Sequence, residues 1–192
     1  ATDDKRVRNK IVNDALQSTL KSNPSPIYKK DFAKNISTGN FTDNMKEISS
    51  CDWIIEVVVE NLEIKKKIFD EVEKYRRAGT LITSNTSSIP IHLMSEGRSD
   101  DFKKHFCGTH FFNPPRYLRL LEIIPANETS DEVKSFLMKY GDLFLGKTTV
   151  LCKDTPAFIA NRIGVYAIMR IFHLMSEMNF TIDEIDKLTG TA

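Results

Sequence analysis

The chain has 192 residues, 41% hydrophobic and 28% charged, which is enough apolar material for one good core and part of a second. A net charge of +1 excludes bulk attraction to nucleic acid or to an anionic membrane. No apolar run approaches the roughly 20 residues that cross a bilayer, and the start, ATDDKRVRNK, has no apolar signal region, so a soluble protein with no membrane partner is expected.

Cys51, Cys107 and Cys152 are widely spaced and suggest neither a disulfide framework nor a Cys-x-x-Cys metal site. A reducing, cytoplasmic setting is the simpler expectation. His92, His105, His110 and His173 have no ligand spacing with cysteine or acidic residues, so no metal is expected. Both ends read as cuts, because the first residue is Ala rather than Met and Leu188 to Ala192 follow directly on an amphipathic segment.

In chain order, Val7, Ile11, Ala15 and Leu20 recur at helical spacing and predict an amphipathic helix from Lys5 to Leu20, with Lys5, Arg6, Arg8 and Lys10 on a solvated face. Residues 21–50 are polar, with turn signals at Asn23-Pro24-Ser25-Pro26 and Thr38-Gly39-Asn40, and read as a loop with short elements. The β-branched run Trp53 to Val59 predicts a strand covered on both faces and hence a parallel sheet. Ile64, Ile68, Phe69 and Val72 then predict a helix ended by Ala78-Gly79, before a strand at Leu81-Ile82-Thr83.

A helical stretch at Ile91 to Met94 precedes strands at 106–112, stopped by Asn113-Pro114-Pro115, and at Leu120 to Pro125. Thr129 and Glu132 read as a capping box for a helix carrying Val133, Phe136, Leu137 and Tyr140, which leads through Gly146 to a last strand at Thr149 to Cys152. Pro156 reads as the opening of a long apolar-rich helix through Phe158 to Met178, and Thr181 with Glu184 as a second capping box for a helix ending near Gly190. The result is a two-part α/β chain: a doubly wound sheet over residues 1–152, then the start of an all-α domain over residues 153–192.

His110 lies at the end of a predicted strand, where open α/β sheets bind ligands. It is a candidate general base or a satisfied core histidine. Glu122 sits in the apolar run Leu120-Leu121-Glu122-Ile123-Ile124, where a buried carboxylate needs a partner such as an imidazole. It faces either that partner or solvent on an edge strand. Ser84 to Ser88 are either substrate-binding hydroxyls or a polar cap, and Asn161-Arg162 either a functional pair or the polar face of a helix.

The segments VVVENLEIKK (57–66), SNTSS (84–88), THFFNPP (109–115), LLEIIP (120–125) and CKDTPAFIANRIG (152–164), taken in order, resemble the motifs of the 3-hydroxyacyl-CoA dehydrogenase family from about residue 50 onward. The resemblance implies a Rossmann-like domain binding NAD, a helical domain that dimerises, and an acyl-CoA held between them. It implies His110 as general base with Glu122 orienting it, Ser87 and Asn161 at the substrate's 3-oxygen, and Glu60, Lys65, Ser87 and Asn113 on the nicotinamide-ribose side. The expected reaction interconverts (S)-3-hydroxyacyl-CoA and 3-ketoacyl-CoA with NAD in fatty-acid β-oxidation. Arg116 and Tyr117, beside the double proline, point to a particular subfamily.

The resemblance departs from the family at the start. A Gly-x-Gly-x-x-Gly turn is expected there, and the glycines at 39, 79, 97, 108, 141, 146, 164 and 190 never have that spacing. The sheet therefore reads as truncated and the chain itself as weakly active or inactive. Asp3 and Asp4 lie just after the place of the ribose-binding acid, and neither is assigned to it. Two other readings remain: an NAD-dependent dehydrogenase of a small 3-hydroxy or sugar acid, and a non-catalytic scaffold. The four residues His110, Glu122, Ser87 and Asn161 together weigh against the scaffold, which needs none of them.

Overall fold

The computed structural model describes residues 4–190. The β-branched and aromatic runs form one five-stranded sheet, β1 (Trp53–Glu56), β2 (Leu81–Ser84), β3 (Phe106–Phe111), β4 (Leu120–Pro125) and β5 (Thr148–Leu151), with neighbours in that order. Alternation along each strand divides the side chains between two faces. Phe106, Ile82 and Ile124 meet Phe69, Val72, Ile91, Met94 and Phe102 on one face. Cys107, Leu121 and Ile123 meet Val133 and Leu137 on the other. The helices behind these contacts are α3 (Leu62–Tyr75), α4 (Ile91–Ser95) and α5 (Asp100–Lys104) on the first face and α6 (Asp131–Leu143) on the second. The sheet is thus covered on both sides, as a doubly wound α/β fold requires.

It is not wholly parallel. β1, β2 and β3 are parallel, as are β4 and β5, but β3 and β4 run antiparallel. Residues 112–119 join them directly, with no helix to carry the chain back for a parallel crossover. The expected strand over 53–59 also stops early, at Glu56. Its carboxylate bends back to accept the Val58 N–H at 2.6 Å, Val57 and Val59 are exposed, and β1 pairs with β2 alone. The β-branched run is therefore an edge strand here rather than a strand covered on both faces, and Ile55 on it is exposed.

At the amino end the expected helix is split into α1 (Lys5–Arg8) and α2 (Lys10–Lys21) at Asn9. Asp4 caps α1 by accepting the Arg6 N–H at 2.8 Å, whereas Asp3 lies outside the described residues. Two short 3-10 turns, 30–35 and 45–50, fill the polar stretch that follows. The expected Thr129 cap is displaced by one residue. The Thr129 hydroxyl is buried and donates to the Phe106 carbonyl at 2.6 Å, so Ser130 accepts the Val133 N–H and caps α6 instead.

Pro156 does not open a helix. Ala157 and Phe158 take positive φ values of 62° and 49°, which break the helical path, and α7 (Ala160–Met178) begins after them. Asn179, also left-handed, ends α7, and the expected Thr181–Glu184 capping box starts α8 (Ile182–Thr189). Much of α7's apolar surface is exposed, Tyr166 at 71% and Ile163 at 63%. No helix among the described residues is long and apolar enough to cross a membrane.

Candidate active site

The antiparallel register of β3 and β4 sets His110 directly opposite Glu122, both on the α3 and α4 face of the sheet. Their side chains meet at 2.7 Å, His110 Nδ1 to Glu122 Oε2, with His110 4% exposed and Glu122 fully buried. The other carboxylate oxygen, Oε1, accepts the N–H groups of Ile159 at 3.0 Å and Ala160 at 2.8 Å. These are orphan donors at the start of α7, where the helix dipole favours negative charge. A carboxylate so held accepts at both oxygens, which fixes the proton on Nδ1 and leaves Nε2 with its lone pair. Phe112 and Phe158 pack on the imidazole with ring centroids 4.5 and 5.7 Å away.

The left-handed residues Ala157 and Phe158 acquire a purpose in this geometry. Each costs about 1–3 kcal/mol in a non-glycine residue, and together they aim the first amides of α7 at Glu122 while burying the Phe158 ring beside His110. Cys152, close by, is held inert: burial and then the Glu122 charge push its thiol up to about 12.

A second polar cluster lies at the carboxyl ends of β1 and β2. Glu56 and Lys65 form an ion pair at 2.9 and 3.0 Å with both side chains 1% exposed. Ser84 donates to Glu56 at 2.5 Å, and Lys65 also reaches the Val58 carbonyl at 3.3 Å. Lys65, expected beside the cofactor, is thus enclosed, and it reaches the exposed Glu60 at 3.4 Å. Glu60 Oε1 accepts from the Thr86 hydroxyl at 2.6 Å and from the N–H groups of Ser87 at 2.9 Å and Ser88 at 3.0 Å. Burial raises the Glu60 carboxyl, but the Thr86, Ser87, Lys65 and Ser88 interactions outweigh it and hold it at about 2.

The two clusters are joined. Asn161, the residue after Ala160, donates to the Ser87 carbonyl at 3.4 Å, and the Asn85 side chain accepts the Phe111 N–H at 2.9 Å, one residue past His110. His110, Glu122, Asn161, Ser87 and Glu60 therefore form one connected patch, with Asn113 exposed just beyond β3. Ser84 and Asn85 belong to the polar stretch 84–88 that the sequence marks, whereas Glu56 and Asp154 are not singled out by it. Asp154 binds the N–H groups of Ile91 and His92 at 2.6 and 2.9 Å and so ties the linker before α7 to α4. Glu56 carried a legible signal, an acidic residue inside an apolar run, the same signal that marked Glu122.

A cavity of about 600 Å³ lies elsewhere. It opens at the amino ends of β1, β2 and β3 beside Trp53, Leu81, His105 and Phe136, the opposite end of the sheet from His110. Among the described residues no group of three or more His, Cys, Asp or Glu is placed to hold a metal ion.

Comparison with known proteins converges on one family. Residues 2–155 match the family described as 3-hydroxyacyl-CoA dehydrogenase, NAD binding domain. A probable 3-hydroxyacyl-CoA dehydrogenase of Bacillus subtilis is 47% identical over 98% of this chain, which covers 24% of that protein. A second, from Deinococcus radiodurans, is 42% identical over 98% of the chain and 55% of its own length. The chain thus spans about a quarter and about half of these two relatives. Among solved structures, the (S)-3-hydroxybutyryl-CoA dehydrogenase of Ralstonia eutropha superposes with a TM-score of 0.75 at 28% identity, covering 93% of this chain and 61% of that one.

Proposed function

This chain belongs to the 3-hydroxyacyl-CoA dehydrogenase family, and from that premise we propose that it serves an NAD-dependent oxidoreductase interconverting (S)-3-hydroxyacyl-CoA and 3-ketoacyl-CoA in fatty-acid β-oxidation. The observation that carries the reading is the buried His110–Glu122 pair with a free imidazole Nε2. On this reading the chain divides into part of a cofactor-binding unit over 1–152 and the beginning of a helical substrate and dimerisation unit over 153–192.

Glu60, Ser87 and Asn113 fit the ribose and nicotinamide end of NAD: all three are exposed, polar, and sited at strand carboxyl ends. Lys65 supports that end through Glu60. The pyrophosphate end calls for a Gly-x-Gly-x-x-Gly turn, and the chain contains none. When bound, the nicotinamide supplies hydride exchange at C3 of the substrate. In oxidation His110 Nε2 takes the proton of the 3-hydroxyl, and in reduction the imidazolium returns it. Proton transfer by His110 contributes about 10²–10⁴-fold, and Glu122 stabilises the imidazolium and keeps Nε2 aimed. Ser87 and Asn161 bond the 3-oxygen. The exposed apolar side of α7 supports a homodimer, and the free cysteines support a reducing, cytoplasmic setting.

The experiment is a chimera in which this chain replaces the matching segment of the Deinococcus relative, assayed by NADH absorbance with acetoacetyl-CoA and, separately, acetoacetate. Turnover with the thioester alone supports the proposal. Preference for the free acid points to a small-acid dehydrogenase, and silence with both points to a scaffold.

A further inference from the structure

Residues 112–119 lead from His110 to Glu122 and carry Phe112, which packs on the imidazole, and Asn113. Tyr117 and Leu118 fold this loop back by donating their N–H groups to the Pro114 carbonyl, at 2.9 and 3.1 Å. On one side Lys147 holds it through the carbonyls of Pro115 and, at 2.8 Å, Leu118. On the other side the partner comes from about ninety residues earlier in the chain. Arg116 Nη1 donates to the carbonyls of Ser25 at 2.6 Å and Ile27 at 3.2 Å, and its guanidinium lies 4.0 Å over the Tyr28 ring. The Tyr117 hydroxyl donates to the same Ser25 carbonyl at 2.9 Å. Ser25 and Ile27 are themselves shaped to receive these donors, because the Ser25 hydroxyl bonds the Ile27 carbonyl at 2.9 Å and accepts the Ile27 N–H at 3.3 Å.

We infer that Arg116 is a positioning residue of the site: it clamps residues 25–28 across the loop 112–119 and thereby holds Phe112 against His110 and Asn113 on the cofactor side. The residue type fits the task. A guanidinium donates to two carbonyls and stacks on a phenol ring at once, whereas a lysine ammonium does the first without the flat stacking face. The inference rests on the dehydrogenase reading for the consequence in turnover, though not for the contact itself.

The test therefore has two arms, using Arg116→Ala and Arg116→Lys. In this chain, proton NMR of the four imidazoles reads the ring current that Phe112 casts on the His110 Cε1 proton. R116A shifts that signal alone, and R116K returns it part of the way. In the chimera, R116A raises the KM for NADH roughly tenfold with a smaller change in kcat, because it disturbs binding more than proton transfer. An unmoved His110 signal in a folded R116A chain overturns the inference, whatever the chimera does. A shifted signal beside a chimera that is silent even as wild type leaves the clamp standing and refutes the dehydrogenase reading instead.

Discussion

His110 and Glu122 sit opposite each other across an antiparallel strand pair, and the carboxylate that binds the imidazole at 2.7 Å also receives the first two amides of α7. One buried carboxylate thus joins the sheet to the helical segment that follows it. It fixes the tautomer of His110 and supplies the acceptor for the start of α7.

Glu122→Gln tests that dependence. The amide NH2 group faces either Nδ1 or the amides of Ile159 and Ala160, so either a buried donor loses its acceptor or the His110 proton moves to Nε2. The substitution is expected to cost about 3 kcal/mol, the scale for breaking a buried pair, and to speed hydrogen exchange at Ile159 and Ala160. An unchanged urea midpoint would show that the carboxylate is not a structural joint.

Lys65 and Glu56 make a similar argument without chemistry in it. Lys65→Met strands the Glu56 charge with only Ser84 and the Val58 amide as partners, at a cost of about 3–5 kcal/mol. Lys65→Met with Glu56→Gln should recover much of that loss, since no unpaired charge remains. Additive losses in the double mutant, read from urea unfolding, would contradict the pairing.

Glu60 gives the structure an acid-sensitive element. Its folded carboxyl lies at about 2 against an ordinary 4.5, so its contribution is present in full above about pH 5 and fades as pH falls toward 2. The Glu60→Gln chain is expected to lose less stability than wild type over that window. Parallel curves of urea midpoint against pH would mean the hydroxyl and amide donors on Oε1 do not favour the charged form.

Gly141 sets packing against propensity. It lies inside α6, where alanine is intrinsically better by about 1 kcal/mol, yet a Cβ there overlaps Thr149 Cγ2. Thr149 is held by hydrogen bonds to Met138 and Asp142, at 3.3 and 2.8 Å, and has little room to turn away. Overpacking of this kind costs about 1–3 kcal/mol, so Gly141→Ala should lower Tm; a raised Tm would show that β5 yields.

The strands, the helices and the His–Glu pair were legible because each leaves a local mark: a β-branched run, a 3.6-residue period, an acidic residue within Leu121-Glu122-Ile123. What escaped was set by tertiary context. The direction of β4 follows from the shortness of residues 112–119, which proline reads only as a stop. The end of β1 follows from Glu56 turning back to Val58. The Thr129 hydroxyl bonded a strand carbonyl rather than its own helix, and α7 started late because Glu122 receives its first amides. Lys65 looked like a ligand-facing cation, but its partner Glu56 lies nine residues earlier on another element.

The most direct test of the central claim is the rate of NADH oxidation with acetoacetyl-CoA in the chimera carrying His110→Gln. The account predicts a fall in kcat of about 10²–10⁴-fold with the KM for NADH little changed, because His110 moves a proton and does not hold the cofactor. A variant that keeps wild-type kcat would remove His110 from the chemistry and leave its pairing with Glu122 purely structural.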